Sequence, residues 1–228
     1  FHSMLPDSFV YFKQRDTIGG DYYWVKEVNN KVIFAAFDCI GRGIKGAAMT
    51  LITEFWLNKI IYEEGRSEPN NILSSLHYKV LSELQIKNPR LSFGIDIAIC
   101  SYDKEKRVLK FAGAKNSLFL VQNNELIEYK ANLHSIGYQS ANSSGVEFRQ
   151  DTINLDSDTM VYLFSDGYLQ QSGSENQKKF NIKNFKELLS EMSSLPMSSQ
   201  LKIIGDTMQN WMGSEKQTDD MVVLGVRL

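Results

Sequence analysis

The feature that most constrains this chain is a succession of short apolar runs joined by links too brief to hold a crossover helix. Runs at about Phe9 to Phe12, Asp21 to Val28, Lys31 to Asp38, Ile95 to Tyr102 and Val108 to Ala112 alternate or stay apolar between polar or glycine-containing breaks. More follow at Leu118 to Gln122, Leu126 to Tyr129, Val146 to Ile153, Met160 to Ser165 and Met221 to Arg227. Parallel neighbours need a long connection, so these short links predict antiparallel sheets.

Two helical stretches interrupt the strands early. Ile44, Ala48, Leu51, Ile52, Phe55, Trp56 and Ile60 recur at helical spacing, as do Ile72, Leu73, Leu76, Val80, Leu81 and Leu84, and each set reads as one apolar stripe. Two more helices are expected around Phe185 to Met192 and from Pro196 through Leu201, Ile204 and Met208 to Trp211. The stripes need sheet surface to cover, which predicts an α+β fold. The order of elements suits sheets packed face to face with helices outside, in one domain over 1–228. The polar stretch from Ser172 to Lys179 reads as an exposed loop.

With 228 residues, 43% of them hydrophobic, the chain can bury a sizeable core, and a net charge of -2 gives no broad basic field for nucleic acid. A two-metal nuclease would lack the basic groove it needs. Cys39 and Cys100 sit far apart in apolar runs, with neither zinc-ligand spacing nor a disulfide framework, which suits a reducing, cytoplasmic setting. His2, His77 and His134 show no metal-ligand spacing, and Trp24, Trp56 and Trp211 read as core or interface anchors. No apolar stretch is long enough to span a membrane. The first residue is Phe1 rather than methionine, which suggests a piece excised or trimmed from something longer, whose upstream sensor or membrane segment would lie outside this sequence.

Four aspartates stand at the ends of apolar runs or beside glycine: Gly19-Gly20-Asp21, Phe37-Asp38-Cys39, Ser165-Asp166-Gly167 and Thr218-Asp219-Asp220. Singly, each suits a turn, where its side chain bonds nearby amides. Together they suit hard dications, which demand oxygen ligands and relieve the repulsion of clustered carboxylates.

The segments GGDYYW (19–24), FDCIGRGIKGAAM (37–49), FAGAKNSLFLV (111–121), SIG (135–137), FSDGYLQQ (164–171) and QTDDMVVLGV (217–226) occur in the order of the motifs of a known family. Over nearly its whole length the chain resembles the metal-dependent protein phosphatases of type 2C, in the bacterial branch of SpoIIE and RsbU. The resemblance implies a four-layer α-β-β-α sandwich, two antiparallel sheets with helices on both outer faces. It implies two divalent cations, Mn²⁺ or Mg²⁺. Asp38 would bridge them, the Cys39 carbonyl would add a ligand, Asp21 would act mainly through water, and Asp166 and Asp219 would hold the other cation. It also implies hydrolysis of phosphoserine or phosphothreonine on a signalling protein, such as a STAS-type anti-sigma-factor antagonist. The helices between Ile44 and Leu84 would form a switch and a dimer contact under an upstream sensor.

The sequence departs from that family at Gly41-Arg42-Gly43, where Gly-His-Gly is common, and at Lys45, where many relatives hold proline. Arg42 cannot give up a proton near neutrality. It is open to two readings, a fork holding substrate phosphate or a surface ion pair. Arg15 and Lys13 are further candidates for phosphate contact, Asp220 for orienting a ligand or the attacking water, and Asp96 has no assigned role. The rival reading is a pseudophosphatase, a phosphoprotein-binding module with little turnover.

Overall fold

In the computed structural model, the described residues are 1–85, 93–138, 146–174 and 177–228. The strands are β1 (Ser8–Lys13), β2 (Asp21–Val28), β3 (Lys31–Cys39), β4 (Ile95–Asp103), β5 (Val108–Ala114), β6 (Leu118–Gln122), β7 (Glu125–Tyr129), β8 (Asp151–Asn154), β9 (Met160–Phe164) and β10 (Met221–Arg227). The helices are α1 (Ile44–Asn58), α2 (Pro69–Lys79), α3 (Gly167–Gln170), α4 (Asn181–Met192) and α5 (Met197–Met212). α1 and α2 each run on into a π-helical turn, Lys59–Glu63 and Val80–Gln85.

Two five-stranded sheets form, in the orders β1-β10-β9-β6-β7 and β2-β3-β4-β5-β8, with antiparallel pairing throughout. The hairpins β2-β3 and β6-β7 turn on Asn29-Asn30 and Asn123-Asn124, all four at positive φ. Asparagine tolerates that region, and such paired turns match the twist of the flanking strands.

Alternation along β3 assigns the layers. Val32, Phe34 and Ala36 face the other sheet and join Val161, Leu163, Val222 and Leu224 in the central core. Ile33, Ala35, Phe37 and Cys39 face outward, beneath Leu57, Ile60, Ile72 and Leu76 from the first two helical segments. The β1-β10-β9-β6-β7 sheet carries α3, α4 and α5 on its outer face, through Tyr168, Phe185, Leu189, Ile204 and Met208. Burying each such aliphatic or aromatic side chain stabilises the fold by about 1.5–3 kcal/mol. The result is the expected α-β-β-α sandwich.

Three local expectations are corrected. Only part of the apolar stripe expected of the first helix faces the sheet: Ile52, Trp56 and Ile60 pack on the core, whereas Ile44, Leu51 and Phe55 are 79%, 68% and 58% exposed, and the buried face of α1 is Gly46, Met49, Thr50, Thr53 and Leu57. Close approach decides this. A Cβ on Gly46 would stand 2.5 Å from the Gly41 carbonyl oxygen and 3.0 Å from the Gly20 backbone, while Thr50 donates its hydroxyl to the Gly20 carbonyl at 2.9 Å. Only a small, hydroxyl-bearing face can sit so near the loop before β2.

The strand expected from Val146 begins at Asp151. The edge of β5 beyond Phe111 is taken by Asn132, whose amide donates to the Gly113 carbonyl at 2.9 Å and whose carbonyl accepts from Lys115 at 2.8 Å. The Asn132 side chain then engages Glu147 and Arg149, which displaces that segment from the ladder. Finally, the stretch from Ser172 is not simply an exposed loop, because Ser172 bridges Lys179 and Gly173 is buried. Residues 175–176 lie outside the described residues.

Candidate metal centre

Three aspartates stand abreast on adjacent strands. In the ladder, Asp21 of β2 is the cross-strand partner of Asp38 of β3, and Asp38 is the partner of Asp96 of β4. By alternation all three project toward the other sheet, in line with Tyr23, Ala36 and Ala98 of the central core. From that sheet come Asp166, just past β9, and Asp219, just before β10. Like charges directly opposite each other destabilise a sheet, so this row needs a compensating cation or proton.

The cost shows in the acidities. Burial, with Asp38 beside it, pushes the Asp21 carboxyl up to about 9, partly offset by the Ser165 hydroxyl. Burial, with Asp166, Asp96 and Asp219 adding repulsion, pushes Asp38 up to about 7. Asp96 is also raised, by burial, against the opposing pull of Ser135 and Lys115. Asp21 is 3% exposed, and its Oδ2 has no hydrogen-bond partner. Asp96 Oδ1 is likewise buried and unpartnered. Buried acceptors without donors are rare and costly, and a dication satisfies them.

Backbone oxygen is also available. Cys39 and Gly20 lie so close that a Cβ on Gly20 would meet the Cys39 carbonyl oxygen at 2.5 Å, and the Cys39 amide donates to the Gly20 carbonyl at 3.1 Å. The Cys39 thiol points away into the outer core, 3.5 Å from the Thr53 hydroxyl, and burial pushes it up to about 12. As a nucleophile it is silent; as a carbonyl donor the residue fits. Among the described residues no three acidic, thiol or imidazole side chains are grouped closely enough to hold a metal ion by themselves.

Asp220 is built into the scaffold. It is 8% exposed, its Oδ1 accepts the Arg15 amide at 2.8 Å, and its Oδ2 accepts the Gly20 amide at 2.8 Å. Gly19 has no Cβ because this carboxylate fills the space. Asp220 thus braces the backbone on both sides of the turn that leads into Asp21.

Arg15 lies at the rim, its guanidinium shared between Asp16 and the Thr218 carbonyl. Arg42 and Lys13 are exposed, and among the described residues Arg42 makes no hydrogen bond or ion pair. Its field does reach Asp16, whose acidity it helps to strengthen after Arg15. His77 accepts the Gly137 amide on Nδ1 at 3.1 Å and is held below the usual imidazole range by burial, a structural role. His134 stacks on Tyr138. The sequence reading passed over Lys115, Asn116 and Ser135, which surround Asp96; the AGAKN and SIG segments that carry them were the available signal.

The SpoIIE family model, described as Stage II sporulation protein E, matches residues 29–228. The chain belongs to the SpoIIE family. This SpoIIE-family domain is thus a protein serine/threonine phosphatase of type 2C, a metal-dependent class. It is similar to the SiaA-PP2C domain of Pseudomonas aeruginosa, at 28% identity and a TM-score of 0.90, covering 100% of this chain and 88% of that one. The PP2C phosphatase domain with a regulatory fragment of SpoIIE from Bacillus subtilis shares the fold at 17% identity and a TM-score of 0.74, over 97% of this chain and 63% of that one. RsbX in complex with magnesium shares it at 16% identity and a TM-score of 0.65, over 97% and 94%. Among curated proteins none matches the chain.

Proposed function

We propose that this SpoIIE-family domain removes phosphate from phosphoserine or phosphothreonine of a bacterial signalling protein, with an anti-sigma-factor antagonist of STAS type as the substrate class. The observation that carries the reading is the row Asp21, Asp38, Asp96 facing Asp166 and Asp219 across the end of the sandwich. Asp38, Asp166, Asp219 and the Cys39 carbonyl would hold the cations, and Asp21 would act mainly through water. Two divalent ions there, Mn²⁺ or Mg²⁺, supply the acidity that activates water and the charge that neutralises phosphate oxygens. The magnesium complex of RsbX supports that choice of metal.

The chain's own residues do the rest. Asp220 fixes the approach of Asp21 through the Arg15 and Gly20 amides. Arg15 offers a cation at the rim for a phosphoryl group. No covalent phosphoenzyme is needed, and the buried, unpaired Cys39 and Cys100 suit a reducing compartment such as the cytoplasm. Among the described residues no helix is long and apolar enough to cross a membrane. The exposed face of α1 supports contact with a second copy or with an upstream sensor in the same chain.

The test is hydrolysis of p-nitrophenyl phosphate and of a phosphorylated STAS protein with Mn²⁺. Turnover should vanish with chelator and in Asp38→Asn and Asp166→Asn. Metal-independent turnover, or turnover that survives both substitutions, would sink the reading.

A further inference from the structure

Asp96 and Lys115 form a pair at the edge of this centre that the proposed ligand set does not use. Asp96 is level with Asp38 across the β3-β4 ladder. Its Oδ1 is buried with no hydrogen-bond partner, and its Oδ2 lies 3.9 Å from Lys115 Nζ. That distance is a loose ion pair, and the lysine side chain is 54% exposed.

The surroundings hold both residues in place. Lys115 sits at φ 63 in the β5-β6 turn, with its amide bound to the Asn132 carbonyl at 2.8 Å. The Asn116 side chain donates to the Asp96 carbonyl at 3.1 Å. Ile136 exchanges two backbone hydrogen bonds with Ile95, at 2.9 and 3.2 Å, which brings the Ser135 hydroxyl beside Asp96. A cation placed on a fixed turn, yet free to swing away, faces a carboxylate with one vacant oxygen. The field of Lys115 also reaches Asp166.

We infer that Asp96 is a further carboxylate of the metal centre and that Lys115 is a built-in rival of the dication, sharing Asp96 with it and setting how much metal the centre needs. This rests on the metal-centre reading above. A monovalent charge at ion-pair distance competes with a dication for the same carboxylate, and both feel a partly screened field. Removing the lysine charge should therefore tighten binding, and removing the Asp96 charge should weaken it.

The experiment is isothermal titration of the metal-stripped domain with Mn²⁺, with the bound fraction read independently from the Mn²⁺ electron paramagnetic resonance signal. Lys115→Asn suits the left-handed turn, so folding is not at risk; it should lower the Kd about three- to tenfold, as expected for loss of one partly screened charge. Lys115→Arg should keep the parent affinity, and Asp96→Asn should raise the Kd by a similar factor with a melting temperature in chelator no lower than the parent's. If Asp38→Asn abolishes binding while Lys115→Asn or Asp96→Asn leaves the Kd unmoved, the inference is overturned and the metal-centre reading stands. An arginine variant that behaves like asparagine overturns it too. If Asp38→Asn binds Mn²⁺ like the parent, the metal-centre reading itself fails, and this inference with it.

Discussion

Asp220 grips Gly20 across two hundred positions of sequence: its Oδ2 takes the Gly20 amide at 2.8 Å while its Oδ1 takes that of Arg15 at the same distance. The carboxylate sets where β2 begins, and so where Asp21 points. Replacing Asp220 with alanine removes two hydrogen bonds to a charged acceptor and strands two amides, at a cost of about 3 kcal/mol. Urea melts in chelator measure that loss. A parallel Mn²⁺ titration should show weaker binding, although Asp220 itself holds no cation.

Gly46 separates helix propensity from packing. On an exposed helix, alanine in place of glycine stabilises by about 1 kcal/mol. Here the added Cβ would stand 2.5 Å from the Gly41 carbonyl and 3.0 Å from the Gly20 backbone, and overpacking of this kind costs about 1–3 kcal/mol. Gly46→Ala should lower the melting temperature and reduce phosphatase activity together. A more stable, fully active variant would refute the close contact between α1 and that loop.

The metal-free protein should respond to pH in an unusual direction. Asp21 and Asp38 are raised to about 9 and about 7, far above an ordinary carboxylate near 4, so between those limits the folded form binds more protons than the unfolded one. Stability is then fully present at the acid end and is lost as pH rises through about 7 and 9. In chelator the melting temperature should fall from about pH 5.5 to 9. Saturating Mn²⁺ should flatten or reverse that slope, because the cation takes the place of the proton.

The outer face of α1 should tolerate charge. Leu51 and Phe55 are 68% and 58% exposed, so Leu51→Glu with Phe55→Ser should change the melting temperature of the monomer little. If this face joins two copies, light scattering should show the parent heavier than the variant at high concentration. Equal masses at every concentration would exclude a dimer through α1.

The sheets were legible in sequence because their two-residue alternation is imposed by the pleat. The links between the runs are too short for crossover helices, which fixed antiparallel pairing. α1 was legible as a helix but not in its orientation: the rule that apolar residues face inward fails where Gly46 and Thr50 must meet a backbone, and Ile44, Leu51 and Phe55 are left outside. The start of β8 was hidden because Asn132, from a different segment, competes for the edge of β5. Asp21, Asp38, Asp166 and Asp219 could be singled out from their strand-end settings and motifs. Asp96 could not be given a place, since a register between strands is set by the whole ladder and leaves no mark on one residue. Asp220 read as an acid near the chemistry, and only its two amide partners reveal a brace.

The five acids are drawn from both layers of the sandwich, Asp21, Asp38 and Asp96 from one and Asp166 and Asp219 from the other. Ions seated between them would therefore act as rivets through the open end of the protein. Draining those ions should loosen this end first, so amide exchange should quicken near Gly20 and Ser165 while the Val32 and Leu224 ladders, deep between the layers, stay protected.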